Sequence, residues 1–405
     1  MGPLDGIRIL DLTSVVMGPY ATSLLGDMGA DVIKVESPQG DIIRQVGPSR
    51  SGEMGGMFLH ANRSKRGIVV DLKTTEGREV LLRLAEAADV LIHNIRPQAM
   101  ARLGLGYEDV RAANPGIIYA GAFGFGQDGP YAARPAYDDL MQGIAGIPAL
   151  MAASGGGEPR YAPVNIADRI VGLHVVIAVL GALRYRERTG QGQEIDIPMF
   201  ETMAGFVLGD HLGGLSYEPP LDAGGYPRLL SQHRRPYRTA DGHLCVLIYN
   251  DRHWQSFFAA IGRPELAADP RFASHGSRTR HIDDIYAETA RIFRTRGTEE
   301  WIALLQEADI PYTPMHDLKG LLNDPHLQAV GFFEQRQHPA EGAVLSLKVG
   351  ARWGASQPQP TRLAPLLGEH TREVLEEAGL AAEHIDRLLE KGVVRQHEGV
   401  ATAAE

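Results

Sequence analysis

Apolar, β-branched runs alternate with helix-forming segments along the first third of the chain. This alternation restricts the fold more than any other feature of the sequence. "IRILDLT" (7–13), "DVIKVES" (31–37), "GIVVDLK" (67–73), "DVLIHNI" (89–95) and "GIIYAGAFG" (116–124) have strand character. "GPYATSLLGDMGA" (18–30) and "TEGREVLLRLAEAA" (75–88) have helical character. Near-continuous apolar strands are buried on both faces, and helices must cover those faces. The expectation is an α/β fold with a mainly parallel, doubly wound, Rossmann-like sheet.

Further along, Asp168 precedes an apolar run that ends in "RYRERTGQGQ", a charged last turn followed by glycines. A run apolar on all sides reads as a central buried helix. "EIDIPMFET" (194–202) resumes strand and then helix. From Leu212 to Pro227 the composition shifts to Gly and Pro, which reads as a linker. A hairpin-like "PYRTADGHLCVLIYN" with an Asp-Gly turn follows, then the helical segments "DRHWQSFFAAIG" and "TEEWIALLQEAD". Short strands such as "AVLSLKVG" return after about 330. The 405 residues are long for one core. The expected organisation is a large domain from 1–211 and 330–405, a linker at 212–227 and a smaller α+β domain at 228–329.

The formal net charge of −10 argues against nucleic acid or an anionic membrane as the main partner. An anionic ligand would need a local cationic pocket. Cys245, the single cysteine, sits in "HLCVLIY" and reads as a small buried hydrophobe without a disulfide. "MGPLDGIRIL" lacks the basic and apolar regions of a signal peptide. The run from Ile170 to Leu183 is interrupted by His174 and is short for a bilayer span. A cytoplasmic enzyme is the expectation.

Several site classes fall away. "GFGQDG" (124–129) fits a dinucleotide fingerprint in spacing, but Pro130 follows and no phosphate-binding helix starts there. The 15 histidines contain no H-x-x-x-H pair, and no C-x-x-C exists, so no metal site is expected. No G-x-S-x-G elbow is present. Carboxylates remain: Asp138 and Asp139 beside Tyr137, and Asp168 at the start of the apolar helix. An Asp in that place is a favoured N-cap. A helix start also favours an anion, and an ionised carboxylate in a water-poor pocket can act as a nucleophile. Local chemistry alone leaves both readings open.

Seven segments, in order over nearly the whole chain, resemble the class III CoA-transferase family. They include "GIRILDLTSVVMGPYATSLLGDMGADVIKVE", "NRSKRGIVVDLKTTEGREVLLRLAEAADVLIHNIRP", "GFGQDGPYAARPAYDDLMQGIAG" and "LGALRYRERTGQGQEIDI". The resemblance implies an acyl-CoA:carboxylate CoA-transferase with Asp168 as nucleophile, passing through an aspartyl anhydride and an aspartyl-CoA thioester. Coenzyme A is then substrate and product, and no metal or redox nucleotide is needed. The implied CoA contacts are Val16, Met17, Val70, Asp71, Leu72, Lys73, Asn94, Ile95, Arg96, Arg102, Tyr137 and Asp138. Lys73, Arg96 and Arg102 suit phosphate or adenine.

This chain departs from the formyl-CoA-using members at Val16, where they carry Gln, and at Val46 and Met57, where they carry large aromatics. The departures imply a larger, more apolar acyl pocket and disfavour formate and oxalate. His233, Arg234 and Arg235 stand where those members have a glycine loop, and are candidates to hold a second carboxylate. A racemase on the same fold is the alternative; its catalytic His falls at Tyr137, and a phenol is a poor base at pH 7. A third reading is an acyl-CoA-binding protein without catalysis, which would not need Asp168. The resemblance further implies an interlocked homodimer.

Overall fold

The computed structural model describes residues 2–397 and divides into two compact units. The first takes in the chain up to Met141, Val164–Ala204 and the chain from Pro325. The second is Gln142–Pro163 with Gly205–Asp324. The sequence reading put 142–163 and 205–211 in the large domain, treated 212–227 as a linker and started the return at 330. In the structure all three segments belong to the second unit, and the return begins at Pro325.

The first unit is built on strands β1 (Arg8–Leu12), β2 (Asp31–Glu36), β3 (Lys65–Val70), β4 (Val90–His93), β5 (Ile118–Phe123) and β6 (Gln193–Pro198). They pair in parallel in the order β3-β2-β1-β4-β5-β6. A short closing strand, Val394–Arg395, adds antiparallel to β3. Successive strands are added to one side from β1 through β2 to β3 and to the other side from β4 to β6. The order therefore reverses between β1 and β4, as in doubly wound folds. Every residue of β3, β4 and β5 is buried.

β3 begins at Lys65, two residues before the expected start, and stops at Val70. Burial of its two leading cations is compensated from elsewhere in the chain. Lys65 Nζ donates to Asp11 Oδ2 at 2.9 Å, and Arg66 pairs with Asp31 at 2.7 Å. Unpaired, either charge would oppose this register.

Helix α1 (Met17–Asp27) follows β1, and a 24-residue helix runs from Ile166 to Thr189. The long helix is not buried all round as expected. Val171, Val175 and Val179 are fully buried, whereas Leu173 and Ile177 are 45% and 64% exposed. By length and composition it is apolar enough to cross a membrane, but half of its apolar window packs inside the protein, as in a core helix. Gly172 lets it approach α1, because a Cβ there would lie 2.9 Å from the Met17 carbonyl oxygen.

The second unit contains the antiparallel strands β7 (Tyr237–Arg238), β8 (His243–Val246) and β9 (Tyr312–Pro314). Helices Asp251–Ala260, Ile282–Phe293 and Thr298–Glu307 surround an aromatic core. Phe293 and Trp301, both fully buried, meet with ring centres 4.5 Å apart. Cys245 is only partly buried, which corrects the expectation of a core cysteine.

Candidate active site

Ligands of doubly wound sheets bind beyond the carboxyl ends of the strands, where the strand order reverses. Here that point lies between the loops leaving β1 and β4. Asn94, just after β4, bridges them. Its Oδ1 accepts from the Ser14 N–H at 3.0 Å, and its Nδ2 donates to the Ser14 carbonyl at 2.8 Å.

The next residue, Val15, has φ of +70°. A β-branched side chain in this left-handed region costs on the order of 1–3 kcal/mol and persists only when its surroundings hold it. Both oxygens of the buried Asp41 accept from the Val15 N–H at 3.2 Å. Lys34, fully buried, donates to Asp41 Oδ2 at 3.1 Å and to the Thr13 carbonyl at 2.9 Å. Below this turn lies Asp11, also fully buried. Burial alone would raise its carboxyl, but Lys65, Lys34 and the hydroxyls of Thr13 and Thr22 hold it down at about 2.

Asp168 occupies the first turn of the Ile166–Thr189 helix, whose N-cap is Asn165. It is therefore not the cap that its sequence position suggests. Its backbone N–H donates to Oδ1 of Asp138, the first residue of the Asp138–Ile144 helix, at 2.9 Å. Asp138 thus satisfies one of the open donors of the long helix, whose N-cap side chain makes no capping bond.

The Asp168 side chain is almost buried, and no described residue gives its carboxylate a hydrogen bond. Burial, then the nearby Asp138 charge, push its carboxyl up to about 7, with Arg169 opposing. The Arg169 guanidinium stacks on Tyr20, 4.4 Å from the ring centre. Burial and the Asp138 charge thus work against the ionised form that a helix start favours.

Asp168 opens onto a cavity of about 290 Å³ within the first unit. Of the residues singled out from sequence, Val16, Met17, Asn94, Arg96, Tyr137 and Asp138 line the same cavity. A second cavity of about 570 Å³ is lined by Val70, Asp71, Leu72, Lys73, Ile95 and Arg102, and Ser14 belongs to both. Tyr137 is 65% exposed.

The other expected contacts lie elsewhere. Val46 and Met57 line neither cavity. His233, Arg234 and Arg235 belong to the second unit. Arg234 and Arg235 line a cavity of about 500 Å³ there, with Cys245 and Trp254, and His233 faces Asp283 at 4.0 Å. Among the described residues, no group of three or more His, Cys, Asp or Glu is arranged to hold a metal ion.

Sequence reasoning missed Ser14, Val15, Arg134 and Met199, which also line the Asp168 cavity. Arg134 lies over the Tyr131 ring at 3.9 Å. Its signal was present in "ARPAYDD", an isolated cation three residues before Tyr137. The glycines of "GFGQDG" serve packing. A Cβ on Gly124 would lie 2.3 Å from that of Ala136, and the Gly126 N–H donates to Glu201 at 2.9 Å.

Sheet order, a cleft at the strand reversal and a nearly buried carboxylate in its wall define an α/β protein with an enzyme-type pocket. The sequence pattern of CoA-transferase family III matches residues 4–371, and the chain belongs to that family. It is 34% identical to succinyl-CoA:mesaconate CoA-transferase of Haloarcula hispanica, over 94% of this chain and 97% of that one. It is 32% identical to formyl-CoA:oxalate CoA-transferase of Escherichia coli, over 95% of this chain and 97% of the other. The crystal structure of Rv3272 from Mycobacterium tuberculosis superimposes with a TM-score of 0.79 at 32% identity, covering 92% of this chain and 98% of that one.

Proposed function

We propose that this CoA-transferase works through Asp168 as covalent nucleophile. The observation that carries the reading is a nearly buried carboxylate, with no hydrogen-bond donor to it among the described residues, in the wall of a cavity that also receives the start of α1.

In its ionised form Asp168 attacks the donor thioester carbonyl; the C–S bond breaks and CoA leaves as thiolate. The thiolate attacks the aspartyl carbonyl of the resulting anhydride and releases the donor acid as carboxylate. The acceptor carboxylate then attacks the aspartyl-CoA thioester and expels the thiolate again. Attack of that thiolate on the acceptor-derived carbonyl yields the new acyl-CoA and returns Asp168 as carboxylate. No net proton is consumed, and each hard acyl transfer is divided into easier ones.

Cations at two points along the cleft support a CoA-sized ligand. Arg96 and Arg134 line the cavity of Asp168, and Lys73 and Arg102 line the adjoining one. This pattern fits a thioester end near Asp168 and the phosphates near Lys73 and Arg102. The names of both curated relatives include a dicarboxylic acid as acceptor, mesaconate in one and oxalate in the other. We infer a short-chain dicarboxylate acceptor for this chain as well, with Arg96 and Arg134 available to the second carboxylate. The racemase alternative needs a base facing Asp168, and the side chain at 137 is an exposed phenol.

We further propose a homodimer. Leu173 and Ile177, exposed one turn apart on the long helix, are the candidates for its contact.

A screen of CoA esters against free acids, read by mass spectrometry of the products, tests the function. CoA passed from succinyl-CoA to a dicarboxylate by the native protein, and lost in Asp168→Ala, is expected. Transfer that survives the substitution would overturn the assignment of Asp168.

A further inference from the structure

We propose that the Ser14–Val15 turn is a strained positioning element, held by Asn94 and Asp41, that sets part of the wall of the cavity onto which Asp168 opens. The proposal rests on the reading of Asp168 as nucleophile.

Three consecutive residues between β1 and α1 are each fixed by a side chain distant in sequence. Thr13 gives its carbonyl to Lys34, Ser14 gives both backbone groups to Asn94, and Val15 gives its N–H to Asp41. Asp41 is itself held by Lys34 and receives the Ile43 N–H at 3.2 Å. This redundancy keeps a valine at φ of +70°, which its own side chain disfavours.

The turn matters for the site because it leads directly into α1. Val16 is the N-cap of α1 and makes no side-chain cap bond, so the direction of the first helical turn depends on residues 13–15. Val15, Val16 and Met17 all line the cavity of Asp168. The Met17 carbonyl also packs against Gly172, one helical turn beyond Asp168, so a shift of this turn is transmitted to the helix that carries the carboxylate. Asn94 and Asp41 therefore act through the backbone of residues 14–17; they are positioning residues.

The test exploits the strain. In Asn94→Ala the turn loses the two bonds that hold Ser14, and the preference of the adjacent Val15 favours relaxation. Glycine has no such preference, so Val15→Gly added to Asn94→Ala removes the drive to relax. Asn94→Ala is expected to lower kcat and kcat/KM together, by about tenfold or more, with KM for the acyl-CoA within about twofold. The double variant is expected to recover most of that loss. If Asn94→Ala keeps full kcat, raises KM alone, or gains nothing from Val15→Gly, the proposal is overturned.

Asn94→Asp provides a second variant of the same size. It keeps the acceptor for the Ser14 N–H, loses the donor to the Ser14 carbonyl, and is expected to show the same rescue. CoA trapped on Asp168 of the native protein separates the two readings. Its absence, with activity retained by Asp168→Asn, refutes the nucleophile, whereas trapping without rescue refutes only the positioning element.

Discussion

The backbone N–H of Asp168 is bonded at 2.9 Å to the carboxylate of Asp138, thirty residues earlier in the chain. One carboxylate thus ends the open turn of the helix that carries the other, and its charge also opposes ionisation of the other. The two effects are separable. Asp138→Asn retains an acceptor for the Asp168 N–H and removes the charge. The acid limb of the kcat/KM profile is then expected to move to lower pH, since the Asp168 carboxyl is relieved of its second-largest upward influence. Asp138→Ala is expected to lose the bond as well, with about 1 kcal/mol of stability. Denaturant unfolding of both variants checks this.

Asp168 also predicts a pH dependence of stability. Its carboxyl sits at about 7 in the folded protein against an ordinary value of 3.8. Between those values the folded state binds more protons than the unfolded one, so stability falls as pH rises through that window. The loss is on the order of 4 kcal/mol when complete above about pH 7. Asp168→Asn has no charge to bury. The variant is expected to unfold at higher denaturant than the native protein at pH 8, with the difference shrinking towards pH 4. A constant difference across that range would contradict the raised carboxyl.

The buried pair beneath the site gives the opposite expectation. Lys65 and Asp11 are both fully buried and 2.9 Å apart. Asp11→Ala leaves the ammonium without its carboxylate partner and is expected to cost about 3–5 kcal/mol, a loss readable in thermal melts.

Assembly is tested on the long helix. Ile177 is 64% exposed although it lies in an apolar stretch. Ile177→Glu places a charge on that stripe and is expected to shift the protein from dimer towards monomer in sedimentation velocity. An unchanged dimer would show that this face is not the interface.

The sheet was legible because most of its strands are short, mainly apolar runs set between helical segments, a pattern that depends only on local sequence. The start of β3 was not, because Lys65 and Arg66 belong in a strand only once Asp11 and Asp31 are beside them. The same distinction holds in the site. Asp168 stood out by its place before an apolar run. Its bond to Asp138 and its near-neutral titration arise from a second segment folding against it. Val15 was illegible for a stronger reason: local preference disfavours its conformation, and it is held by Asp41, 26 residues away, and through Ser14 by Asn94, 80 residues from that serine. Residues 142–163 join the second unit although they lie between two stretches of the first, and nothing in their composition marks that change.

The covalent role of Asp168 is tested most directly by intact-peptide mass spectrometry after brief incubation with acyl-CoA and rapid acid quench. The mechanism predicts a CoA adduct on the peptide containing Asp168, discharged when the acceptor acid is added and absent from Asp168→Asn. Turnover without any adduct on that peptide, and with activity retained by Asp168→Asn, would contradict it.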